Sequence, residues 1–173
     1  MALPSRAQTF AFETCRDLLD KLEREIDRYQ KVDGRDEDGP EALLELVDQL
    51  RDSAFNAAVT AWQLCDWVFN DMTPEQRQKA KISSLGDLQA YARDNCRALY
   101  LCRHAATASK HWEVSHKPDP DVQVEVWHDE TGWTIHFVDG ANSQSAYVVF
   151  ESARAFWNEF IRGHGIGKGQ DEL

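Results

Sequence analysis

A mainly helical α+β fold follows from three observations on the sequence: an antiparallel bundle of long helices, then a three-stranded antiparallel β-meander, then a final helix. Through the first two-thirds of the chain, apolar residues recur at three- and four-residue steps with charges between them. After SHKPDPD (115–121) the apolar spacing changes to two. The last apolar stretch returns to helical spacing.

The first helix is read from FETCRDLLDKLEREIDRYQ, where Cys15, Leu18, Leu19, Leu22, Ile26 and Tyr29 share one face. The polar segment DGRDEDGP interrupts it, and Pro40 suits the first position of a second helix. From Asp33 to Asp48 the chain carries seven acids and one base, read as a solvated loop and an acid-rich first turn. In EALLELVDQLRDSAFNAAVTAWQLCDWVFND one stripe runs from Leu43 through Val47, Leu50, Ala54 and Ala61 to Val68. A second, about 100° round the helix, holds Phe55, Trp62 and Phe69. So wide an arc predicts a central helix with neighbours on two sides, its alanines allowing close approach. TPEQ (Thr73 as cap, Pro74 at the first position) starts a short helix, and Ser84 with Asp87 caps the next.

VQVEVWH, WTIHF and AYVVF are the three candidate strands, with DETG and DGAN as turns. ESARAFWNEFIRG is the final helix. The expected organisation is therefore a single domain over 1–173: helical bundle 5–116, meander 121–150, helix 151–163 and flexible tail 164–173. At 173 residues such a domain buries about 70% of its unfolded surface.

Composition narrows the function. A net charge of −11, from 30 acids and 19 bases, disfavours non-specific attraction to nucleic acid or anionic membranes while leaving room for a local basic patch. Cys15, Cys65, Cys96 and Cys102 form no CxxC pair, so reduced, buried thiols in a cytoplasmic protein are expected. No secretion-signal run and no membrane span is read; the final QDEL is taken as a chance likeness to a retrieval tail. No cofactor motif is found. No metal is expected either, because His104 and His111 are too far apart on one helix to share an ion. His128 and His136 are read as isolated surface histidines on the meander.

The chemistry concentrates in CRALYLCRHAATASKHW (96–112). On one unbroken helix centred on Leu99, the residues Leu85, Leu88, Ala92, Asn95, Cys102 and Ala106 form the core stripe. Arg93, Arg97, His104 and His111 then line up about 120–160° away, with Tyr100 beside them. Arg97 and His104 are two turns apart, about 10 Å. An arginine fork and an imidazole that titrates near neutrality can grip a phosphodiester between them. In RNA cleavage the histidine would move the proton and the arginine would stabilise developing charge. Arg93, Tyr100, Lys110 and His111 are the expected substrate-binding residues. Arg103 and Lys110 fall near the core centre and need a partner there; Asp66 of LCDW is the expected counter-ion, giving a structural Asp66–Arg103 or Asp66–Lys110 pair.

RALYLCRH (Arg97 to His104) resembles the Rx4–6H motif of the HEPN superfamily, helical-bundle proteins of bacterial defence and toxin–antitoxin systems, many of them metal-independent RNases. The resemblance implies Arg97 and His104 as a catalytic pair, often completed by a second subunit. Ala98 stands where active members commonly carry a polar residue. AWQLCDWVFND with the later helix also resembles a group of uncharacterised bacterial proteins. These combine a Trp/Asp/Trp helix with a helix ending in Asn-x-x-Lys-His, and here Thr107 occupies the asparagine position. That likeness spans about residues 55–150, carries no activity with it, and draws attention to Lys110 and His111.

Two functional classes result. One is a HEPN-like RNase or RNA- or nucleotide-binding protein using Arg97 and His104. The other is a non-catalytic helical module that binds another protein or a second copy of itself, its basic line meeting an acidic surface such as 33–48.

Overall fold

The computed structural model describes residues 10–110 and 119–167, and all but the last three of these side chains in the helix that ends at Lys110. Among them the chain forms six helices and a three-stranded antiparallel sheet with the order β1-β2-β3. The helices are α1 (Cys15–Gln30), α2 (Pro40–Asp71), α3 (Pro74–Ala80), α4 (Leu85–Asn95), α5 (Arg97–Lys110) and α6 (Ala146–His164). The strands are β1 (Val122–Asp129), β2 (Gly132–Asp139) and β3 (Asn142–Ser145).

The caps form where local chemistry puts them. Thr14, Thr73 and Ser84 each accept a hydrogen bond from the backbone N–H three residues on, and Asp17, Gln76 and Asp87 bond back to the cap. Helix α2 is the axle of the bundle, at 32 residues about 48 Å long, and it packs against α1, α4, α5, α6 and β2. Ala54, Ala57, Ala58 and Ala61 are buried, and their small side chains let neighbours approach closely. On α1 the buried Glu25 takes Lys21 Nζ and Arg28 Nη1 on one carboxylate oxygen, each at 2.8 Å. Lys21 also reaches Thr60 of α2 at 2.8 Å, so a charged cluster ties the two helices together.

The meander is fastened to the bundle through α1. Tyr29, fully buried, accepts from the Ile135 N–H at 3.0 Å and donates to Asp33 at 2.8 Å, while the Thr134 hydroxyl donates to the same carboxylate at 2.6 Å. β3 pairs only with residues 136–139 of β2. The loop after α1 takes up the rest of that edge: Gly34 N–H donates to Trp133 C=O at 2.9 Å and Trp133 N–H to Arg35 C=O at 2.8 Å. Gly132 lies so close to this loop that a Cβ there would sit 2.5 Å from the Gly34 carbonyl oxygen.

Three expectations from the sequence need correction. The third strand is Asn142–Ser145, and AYVVF instead opens α6, which begins at Ala146 and not at 151. Ala146, Val149, Phe150, Ala153 and Trp157 then form one buried helical stripe. The long helix through Leu99 is two helices, broken at Cys96, whose backbone is extended (φ −141°, ψ 102°). The tail is anchored at its start: Ile166 is fully buried, and Arg16 donates to the Ile166 and Gly167 carbonyls at 3.0–3.2 Å. Residues 168–173 of the expected tail lie outside the described residues.

The core runs between α1, α2, α5, α6 and the inner face of the sheet. Trp157 fills its middle and donates its indole N–H to the Ala61 carbonyl at 2.9 Å. All four cysteines are free and buried, and burial pushes every one of their thiols up. Among the described residues no helix is long and apolar enough to cross a membrane.

Candidate functional site

Arg97 is the first residue of α5, and the break at Cys96 aims it at the end of β2. Its Nε donates to Asp139 Oδ2 at 2.7 Å and its Nη2 to the same oxygen, so the guanidinium holds a carboxylate. This bond raises the Arg97 pKa further. The guanidinium also lies 4.0 Å from the centre of the Tyr100 ring. Next along the helix, the Tyr100 ring packs on the His104 imidazole, centroids 4.7 Å apart, and its hydroxyl donates to Asp119. Asp119 is held below the usual carboxylate range, first by the Tyr100 hydroxyl and then by the Asp121 backbone.

His104 is 6% exposed and Arg103 7%. The sequence put His104 on the outer face. Leu99 and His104 both lie on α5, so that angle holds; the outer face is covered because α5 has neighbours on several sides. It packs on α2, α4, α6 and β1, and Ala98, Leu99, Leu101, Cys102 and Ala106 are buried with the two basic residues. Arg103 Nη1 lies 3.5 Å from His104 Nε2. Burial first, then the Arg103 charge, pushes the His104 pKa below its ordinary 6.5, against the pull of Asp119. Burial and the Arg93 charge lower Arg103. His104 is thus a neutral imidazole at pH 7.

This has a measurable consequence for stability. The unfolded imidazole takes up its proton near 6.5 and the folded one only at lower pH. The unfolded chain therefore binds more protons below 6.5, and stability falls as pH drops through that value. His104→Gln should lose less of its melting temperature than the wild type between about pH 7.5 and about pH 5.5 in thermal scans followed by circular dichroism.

The structure thus brings Arg97, Tyr100, Arg103 and His104 together. Arg93, half-buried on α4, stands on the other side of the break. Asp66 is exposed on α2. Lys110 closes α5 with its side chain outside the described set, and His111 lies outside the described residues altogether. Sequence reasoning missed Asp119 and Asp139, which carry no local signal because they act across 19 and 42 residues of chain. They set one carboxylate on Arg97 and a second on Tyr100, so an incoming oxyanion at Arg97 would have to displace Asp139. Among the described residues no group of three His, Cys, Asp or Glu side chains could hold a metal ion. The meander histidines are engaged at the surface, His128 with Asp36 at 3.2 Å and His136 stacked on Trp127 at 4.1 Å.

A separate groove of about 740 Å³ opens between α2, α5 and the sheet. Ala54, Ala58 and Ala105 are too small to fill the gap to Val126, Ile135 and Phe137. Its rim exposes Phe55 (50%) and Val124 (48%), with Arg51 and Glu125 alongside. The Trp127 indole N–H holds Glu125 Oε2 at 2.7 Å. No family model, curated protein or solved structure matches the chain.

Proposed function

We propose that this chain is a helical interaction module that self-associates through the groove between α2 and the sheet. The carrying observation is the half-exposed Phe55–Val124 patch, an apolar surface that a soluble monomer gains nothing by displaying. The occupant is a second copy. Arg51 and Glu125 border one patch with opposite charges, and about a two-fold axis the Arg51 of one copy meets the Glu125 of the other, twice over. Sedimentation equilibrium should show a dimer whose dissociation constant rises at least about tenfold in Phe55→Glu. Arg51→Glu and Glu125→Arg should each weaken it about fivefold, and the double charge swap should restore it. A monomer at every concentration, or single and double swaps of equal effect, would sink this reading.

The second reading is the HEPN-like one: a metal-independent endoribonuclease, or an RNA- or nucleotide-binding protein, using Arg97 and His104. What favours it is the Tyr100 ring packed against both the Arg97 guanidinium and a neutral imidazole, the protonation state a general base needs. What weighs against it is the pair of carboxylates on the same cluster. Its test is cleavage of a labelled single-stranded RNA without added metal by wild type, Arg97→Ala and His104→Ala, each checked for folding. Cutting by the wild type alone supports it; three inactive proteins leave the module reading standing.

A further inference from the structure

The direction of each backbone group along β1 follows from two observations. Gly140 N–H donates to the Asp121 carbonyl at 3.0 Å, and Asp129 opposes Gly132 across the two-residue turn Glu130–Thr131. Both pairs therefore belong to the hydrogen-bonded class, which alternates along an antiparallel ladder. Gln123, Glu125, Trp127 and Asp129 then turn their N–H and C=O groups toward β2, and Val122, Val124, Val126 and His128 turn theirs outward. The Asp119 carbonyl takes the Val122 N–H at 3.2 Å. Among the described residues the outward backbone groups of Val124, Val126 and His128 have no partner.

The other side of β2 is closed along its length. Trp133 is bonded by Gly34 and Arg35, the Ile135 N–H by the Tyr29 hydroxyl, and Phe137 and Asp139 pair with Gln144 and Asn142 of β3. β3 is itself a short edge of four residues. β1 is eight residues long, against about five or six for an ordinary strand, and its register is unbroken. It carries neither proline nor lysine, two residues that commonly blunt such an edge. Val124 is 48% exposed, and with Val126 it lines the groove beside Phe55.

We infer that β1 pairs antiparallel with β1 of a second copy, about a two-fold axis at Val126, joining the two sheets into one. This rests on the self-association proposed above and names how the copies join. Charge selects the register. An axis at Glu125 would oppose two carboxylates, about 4.5 Å apart between Cα atoms, and an axis at Trp127 would set Glu125 against Asp129 of the second copy. An axis at Val124 would leave His128 unpaired and call on Val122, whose N–H is already committed. With the axis at Val126, Glu125 faces Trp127 of the second copy, an indole that already holds the Glu125 carboxylate of its own strand at 2.7 Å. Val126 then exchanges backbone hydrogen bonds with its counterpart, and Val124 with His128. The Val124 side chain and the rim of the groove are covered in the same step.

The test reads this pairing residue by residue. Val126→Cys should form a disulfide-linked dimer under mild oxidation, because hydrogen-bonded partners lie about 5.5 Å apart between Cα atoms. Val124→Cys, which faces His128 of the second copy, should not, and neither should the wild type, whose four thiols are buried. Val126→Pro removes an outward N–H and no bond to β2, so it should stay folded and raise the dissociation constant at least about tenfold. The Val124, Val126 and His128 amides should exchange at least about tenfold more slowly above the dissociation constant of the wild-type dimer than below it. A monomer at every concentration in sedimentation equilibrium would sink the self-association reading and this inference with it. A dimer whose three amides gain no protection, or a folded Val126→Pro that associates as tightly as the wild type, would overturn the strand pairing alone. Cross-linking through Val124→Cys in preference to Val126→Cys would overturn the axis.

Discussion

Trp157→Ala should cost about 3–5 kcal/mol, the range for truncating a fully buried large aromatic side chain. Trp157 has no exposed surface and donates to the Ala61 carbonyl across the α2–α6 contact. It also meets Phe156 and Phe160 edge to face, at 5.2 Å and 6.0 Å between centroids. Removing the indole therefore takes away transfer energy, ring contacts and a hydrogen bond at one point. The alanines of α2 opposite it have no side chain with which to fill the hole. For a chain of this size the melting temperature should fall by about 6–20 °C. Urea unfolding monitored by circular dichroism measures the loss directly. A cost below about 1 kcal/mol would mean that α6 is not a core helix.

Gly132→Ala should be the most damaging single methyl group in the meander. The residue sits at φ +112°, a conformation that side-chain-bearing residues rarely adopt. The added Cβ would also lie 2.5 Å from the Gly34 oxygen and 2.6 Å from the Arg35 oxygen. Both are backbone atoms, so no rotamer change relieves the overlap. Either the hairpin or the loop after α1 must move, and the Gly34–Trp133–Arg35 hydrogen bonds stretch with it. A loss above about 2 kcal/mol is expected, with faster amide exchange at Gly34 and Trp133. Gly140→Ala is the control. Its φ is +57° and its surroundings are open, so only the left-handed backbone cost of about 1 kcal/mol applies. Similar losses in the two variants would show that close approach is not what Gly132 provides.

The bundle was legible because its signals are local. Thr14, Thr73 and Ser84 cap through residues three positions away, and the stripes of α1 and α2 repeat over many turns. AYVVF was misread because a five-residue apolar run satisfies strand and helix equally. Ala153 and Trp157 decide it only when counted with Val149, four residues apart at each step. The real β3, NSQS, has no strand propensity; it is recruited by the turn at Gly140, which continues the register from Asp139 opposite Asn142. The break at Cys96 has no glycine or proline to announce it. It displaced Asn95 from the core stripe, whereas His104, on the same helix as Leu99, is buried because α5 has neighbours on several sides, which helical spacing does not show.

The four thiols make this chain its own unfolding reporter. Only a thiolate attacks a maleimide or an aromatic disulfide, and burial suppresses both access and ionisation at every cysteine. Native protein should thus label slowly, and the order in which the sulfurs become reactive should retrace how the bundle opens. Cys15, in the first turn of α1, would register fraying at one end. Cys96 would register play between α4 and α5, while Cys65 and Cys102, both without exposed surface, would register loss of the whole core. Mass spectrometry of a timed labelling reaction would turn those four positions into a map of where the fold gives way first.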